Sequence, residues 1–266
     1  MSGRNPEQLL LTNKAGTPVQ VQDLMDEGLE GDYEDRIPDL IELMHRGSPE
    51  HRLWACMVLT AWGNEDGLTQ VAEWARYPER APWASNPVDF DRIYGADSSM
   101  ASLADAVRTS FLSASASSLR PLQISAIEAL LQASSSHFVD SNLALAIGQD
   151  RYVEENLAPR IRDAIANAIA RLSAGDQVGF DLAFQTASLV GALAPVDDAG
   201  AAHFADVLAA NFRSSERMLK ELAEALSQGR GPATARSLTA LKALGIAAVA
   251  DKVDNALARR ERRGSP

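Results

Sequence analysis

"DRIPDLIELMHRGSPEHRLWACMVLTAWGNEDGLTQVAEWARYP", residues 35–78, carries three apolar stripes separated by two short polar breaks. Ile37, Leu40, Ile41 and Met44 follow the spacing that keeps side chains on one face of a helix. Asp35 is placed to cap that helix, and Pro38 falls in its first turn, where a missing N–H costs little. His45 and Arg46 suit its negative end, Gly47 a left-handed stop, and Ser48-Pro49 the start of the next helix. In that second helix Leu53, Cys56, Met57, Thr60 and Ala61 form one stripe, and Trp54, Val58 and Trp62 adjoin it. An element apolar around most of its circumference is expected between neighbours. Gly63-Asn64 then ends it and caps a third helix with Leu68, Val71, Ala72 and Ala75 as its stripe and Pro78 as its stop.

The same grammar continues outward. Stripes of helical spacing recur at Ile124, Ile127 and Leu131; at Ile161, Ile165, Ile169 and Leu172; at Val178, Leu182 and Leu189; at Met218, Leu222 and Leu226; and at Ile246, Val249, Val253 and Leu257. Breaks are read at Arg120-Pro121, Gly148, Ser173-Ala174-Gly175, Ala194-Pro195, Gly229 to Pro232, and Gly245, giving an all-α chain of about eleven helices. Only "LLLTNKAGTPVQVQ", residues 9–22, has the look of a short hairpin. Residues 1–34 are read as an acidic lead-in and 35–266 as one helical domain, interrupted by a long loop at 77–96. Alanine supplies much of the apolar content after residue 100, so each helix has little surface to bury alone and needs neighbours on two sides. Stacked helix pairs satisfy that need, as does a closed bundle.

Composition narrows the function classes. The net charge of −11 argues against a surface built to hold phosphate backbones and favours cationic partners. Residues 1–100 hold 18 acids against 8 bases, whereas 101–266 hold 18 against 17, and all four tryptophans fall in the first part. The single cysteine, Cys56, allows no internal disulfide and fits a reducing compartment. No apolar run suggests a signal peptide or a membrane span, and the expected location is cytoplasmic.

Residues 37–63 resemble a HEAT repeat through Pro38, Leu40 and Leu43 in the first helix, Arg52, Ala55 and Leu59 in the second, and the glycine after it. "RPLQISAIEALL" (120–131) and "IRDAIANAIARL" (161–172) look like weaker copies of second helices. The resemblance implies a right-handed stack of helical hairpins, an α-solenoid whose usual business is holding another macromolecule. The turn "RGSPEH" lacks the customary Asp, and 77–96 interrupts any regular period.

Two segments are candidates for such binding. Eight carboxylates crowd residues 23–40; they fail the calcium-loop pattern, and read either as a solvated approach to the first helix or as a patch that attracts a basic surface. Glu30, Asp32, Glu34 and Asp35 would carry that patch. The segment 77–95 breaks the helical pattern with three prolines and sets Tyr77, Trp83, Phe90 and Tyr94 among Asp89 and Asp91. It reads as a preorganised binding loop, with Trp83, Asp89, Phe90, Asp91 and Tyr94 as contacts, or as a satellite core with its aromatics tucked under.

Catalytic signatures are not found. "HFVD" (137–140) and "HFAD" (203–206) each place His and Asp on one helix face, but two ligands are too few for a metal, and Phe as a core residue explains the recurrence. Cys56 reads as a buried structural thiol, and "ARRERR" as a solvated helix end. No cofactor is expected. These features point to a non-catalytic module gripping a basic protein; by class and composition it resembles an immunity protein that sterically blocks a bacterial toxin domain. The alternatives are a HEAT-like base-excision glycosylase, which needs a basic concave face, and a scaffold in a larger assembly.

Overall fold

The computed structural model describes residues 5–30, 33–113 and 116–264. Among these, every regular element is helical, and the chain is all-α. Two compact units form, residues 1–133 with 137–149, and residues 134–136 with 150–266. No described helix is long and apolar enough to cross a membrane.

The first unit contains α1 (Pro6–Leu10), α2 (Val21–Glu27), α3 (Ile37–Arg46), α4 (Pro49–Ala61), α5 (Glu65–Arg76), α6 (Ser99–Ser110), α7 (Ala116–Ala133) and α8 (Asn142–Ile147). As its two-sided stripe predicts, α4 is central: it touches α1 to α3, α5 and α6, and Leu53 and every residue from Ala55 to Ala61 are buried. Ser48 caps α4 by accepting from His51 N at 3.3 Å, and Asn64 caps α5 by accepting from Asp66 N and Gly67 N at 2.9 and 3.2 Å. A Cβ on Gly67 would lie 2.6 Å from Thr60 N, so α5 can approach the α4 backbone only because that side chain is absent.

Several local expectations are corrected. Asp35 does not cap α3, because a 3-10 turn over Glu34–Arg36 runs straight into the helix. Gly47 is extended (φ −69°, ψ 176°), which leads directly into the Ser48 cap. Helix α7 continues through Pro121, whose residue lies on the exposed side, where the carbonyl that loses its N–H partner can meet water. Residues 9–22 form no strand: a single antiparallel bridge, Thr12 to Pro18, closes a turn between α1 and α2. Leu9 and Leu10 are buried there, as are Leu24 and Met25 of α2. The short helices α1, α2 and α8, of 5, 7 and 6 residues, raise the count above about eleven; each is too brief for a stripe to register.

The second unit contains α9 (Arg151–Ala174), α10 (Leu182–Leu193), α11 (Asp198–Asn211), α12 (Glu216–Leu226), α13 (Pro232–Lys242) and α14 (Ala247–Gly264). Helix α10 lies against α9, α11 and α12, while α13 contacts α11, α12 and α14. Alanine sets the spacing: a Cβ on Gly191 of α10 would already stand 3.2 Å from Ala225 Cα of α12.

The end of α14 is not merely solvated. Arg259 makes a bidentate pair with Glu224 of α12 at 2.5 and 2.6 Å. Arg260 donates to the carbonyls of Leu226 (3.0 Å), Gly229 and Gly231 (2.7 Å), and to Thr234 Oγ1 (2.8 Å), closing the end of α12 over the start of α13. The other side of that junction is held by Asp198 of α11, which accepts from Gly231 N (3.1 Å), Ala233 N (2.8 Å) and Thr234 Oγ1 (2.5 Å). A residue more than thirty positions away thus supplies the N-cap that α13 lacks locally.

Burial alone would raise the Asp198 carboxyl, but hydrogen bonds from Thr234 and the backbone N–H groups more than offset it and hold the group below its usual value. A depressed carboxyl contributes stability above its unfolded pKa and loses it as pH falls through the folded one. Asp198→Ala is therefore expected to destabilise the second unit by about 1–2 kcal/mol at neutral pH. The gap to the parent should close as pH falls below 3.8; urea melts at neutral and acid pH measure both.

Candidate functional site

The acidic stretch is a built structure around one aromatic pair. Tyr33 stacks on Trp62 of the α4 end, with ring centroids 5.2 Å apart at 30°. The Tyr33 hydroxyl donates to Glu27 Oε2 at 2.7 Å and accepts from Lys14 N at 3.0 Å, and Trp62 Nε1 donates to Leu24 O at 3.1 Å. Burial and the bond to Glu27 raise the Tyr33 phenol above its ordinary pKa. Arg36, only 9% exposed, lies over the Tyr33 ring and donates to four carbonyls at and beyond the end of α1: Gln8 (3.3 Å), Leu9 (3.1 Å), Thr12 (2.6 Å) and Asn13 (3.2 Å). The stretch's one arginine thus meets the negative end of a helix and satisfies carbonyls that α1 leaves without N–H partners.

Of the four acids singled out here, Glu34 and Asp35 stand exposed on the 3-10 turn. Asp32 lies outside the described residues, as does the side chain of Glu30.

The loop after α5 divides into a buried base and an exposed tip. Trp83 belongs to the core: it is 1% exposed and meets Trp74 edge-on at 4.9 Å. Residues 89–98 then fold back on themselves through an antiparallel bridge between Phe90 and Asp97. Asp91 N donates to Ala96 O at 2.8 Å, Ser98 N to Asp89 O at 3.0 Å, and Asp91 Oδ1 accepts from Ile93 N and Tyr94 N at 2.9 and 2.7 Å. Gly95 takes the left-handed conformation (φ +64°) that reverses the chain. Ser102 of α6 fastens the base by donating to Asp89 Oδ2 at 2.6 Å.

Tyr94 is half-buried, its ring edge-on to Phe138 at 6.3 Å. What remains outside is Phe90, 56% exposed, and Ile93, 73% exposed, with the charged Arg92 between them. Asp140, in the left-handed region at φ 50°, lies close enough that the Asp91 charge adds to burial in raising its carboxyl pKa. The tip therefore sets two large apolar side chains beside carboxylates and one arginine, Arg92, on a backbone fixed by its own hydrogen bonds.

Sequence reasoning brought out Phe90, Asp89, Asp91 and Tyr94 but missed Ile93, Ser102, Phe138 and Asp140. Ile93 has no periodic partner in a turn, and the pairing of 89–98 with 137–140 spans the whole of α6 and α7. The expectation that "HFVD" occupies a helix face is corrected, since 137–140 is a loop before α8 that buries Phe138 and Val139. "HFAD" does lie on α11. Among the described residues no three His, Cys, Asp or Glu stand close enough to hold a metal ion. Cys56 is fully buried, donates to Gly67 O at 3.6 Å, and is pushed up to about 12 by burial.

No protein-family model, curated protein or solved structure matches the chain.

Replacing Arg36 with Leu leaves the α1 carbonyls buried without donors, a cost of about 1–3 kcal/mol. Hydrogen exchange should quicken at least tenfold across 5–30 and stay unchanged across α9 to α14. Because the thiolate is the reacting species, Cys56 should resist a disulfide exchange reagent in the native protein and react fully in denaturant.

Proposed function

We propose that this protein is a non-catalytic binding module that grips a basic protein, in its most specific form an immunity protein that sterically blocks a bacterial toxin domain in the cytoplasm. The observation that carries the reading is the 89–98 tip, where Phe90 and Ile93 project from a loop held by Asp91, Gly95 and Ser102. Exposed side chains of this size contribute about 1.5–3 kcal/mol each once covered, and a loop already ordered loses little entropy on binding. Asp89, Asp91 and Asp140 beside them outnumber the one tip cation, Arg92, and with Glu34 and Asp35 elsewhere on the same unit they favour a cationic counterpart. Carboxylates would there stand in for the phosphates of a toxin's substrate. Within this reading α3 and α4, joined by Arg52 Nε donating to Met44 O at 2.9 Å, are the first hairpin of a HEAT-like stack.

Support over a nucleic-acid enzyme comes from the cations. Arg36, Arg52, Arg171, Arg259 and Arg260 all engage groups of this chain, which removes them from a phosphate-binding face.

Affinity capture from lysate of the natural source should retain a basic protein at low salt and release it at high salt. Phe90→Ala with Ile93→Ala should weaken its binding at least tenfold in calorimetry while leaving the melting temperature unchanged. Capture of nucleic acid, or a partner indifferent to the tip, overturns the reading.

A further inference from the structure

The second unit carries a polar cluster that the binding-module reading does not use. Helices α11 and α13 flank an open groove of about 410 Å³. From α11 come Ala202, His203 and Asp206, and from α13 come Ala233, Arg236 and Ser237. Each set repeats a helical spacing, so two whole helix faces meet at this groove. Among the described residues His203, Asp206, Arg236 and Ser237 make no hydrogen bond or ion pair; the first three are exposed along the groove and Ser237 is buried at its floor. Ser237 is the sharpest case: it is 4% exposed, lines the groove, and its hydroxyl has no partner. The buried hydroxyls of Thr186, Ser188 and Thr234 in the same unit do have partners: Leu182 O at 2.6 Å, Glu221 Oε1 at 2.8 Å and Asp198 Oδ1 at 2.5 Å.

We infer that this groove is a binding site for a small molecule bearing an anionic oxygen group, a carboxylate or a phosphate. Three of its four polar side chains donate: Arg236 offers a guanidinium fork, Ser237 a recessed hydroxyl, and His203 a ring N–H in either protonation state. Asp206 accepts, which suits a hydroxyl or amine on the same ligand. The alanine methyl groups of both walls admit an apolar body close to the helix axes. The volume falls within the range of small-molecule sites. The site is independent of the loop tip, which lies in the other unit.

The test is a titration of the full chain followed by the His203 ring C–H signal in proton NMR. The chain has only four histidines, and His203→Gln identifies the resonance. Inorganic phosphate and acetate are added separately at fixed pH, with sodium chloride holding the ionic strength constant. At least one probe should shift the signal saturably, and Arg236→Ala should weaken that binding at least tenfold. Arg236 is exposed and unbonded, so this variant should keep the parent's melting temperature. Saturation by phosphate alone assigns a phosphoryl ligand, and by acetate alone a carboxylate. Absence of saturation with both, or an Arg236→Ala protein that titrates like the parent, overturns the site.

Discussion

Four helix ends of this protein are closed by arginine. Each α-helix leaves its last carbonyls without N–H partners, and short helices packed end to side partly bury those groups and limit their access to water. Arg36 answers the problem at α1, Arg52 at α3, Arg171 at the turn following α7 through Ser135 O at 2.5 Å, and Arg260 at α12. A guanidinium suits the task because its five donors fan out in a plane and can reach several carbonyls at once. The helices of both units can consequently be brief and their connections tight.

The same arrangement shapes the surface. A chain with 25 bases and 36 acids is already acidic, and directing Arg36, Arg52, Arg171 and Arg260 to backbone carbonyls leaves fewer of its cations on the outer surface. Formal charge counts every guanidinium equally, whereas a partner approaching from solvent meets only those that face it.

Local grammar in the sequence was legible where cause and effect lie within one turn. Ser48, Asn64 and Gly175 cap or stop helices as their residue types dictate, and the two stripes of α4 foretell its central burial. Legibility ended where a side chain serves a distant backbone. Asp35 and Arg36 are neighbours in an acid-rich run, yet one faces solvent and the other supports α1, because the distinction depends on where residues 8–13 return. Asp198 looks like an ordinary first-turn acid of α11 and is also the N-cap of α13. In the candidate site, Trp83 and Phe90 are both aromatic residues of one proline-rich loop, and nothing periodic separates them; the nearby Trp74 edge draws only the first into the core.

The construction of the 89–98 tip bears on how the protein can change over generations. Its shape is fixed by the carboxylate of Asp91, the backbone freedom of Gly95 and the anchor from Ser102 to Asp89, while Phe90 and Ile93 contribute almost nothing to holding it. Those two positions can drift through many side chains without threatening the fold. A lineage facing a succession of altered partners could follow each one by exchanging the outward residues alone, keeping an unaltered frame beneath a variable face.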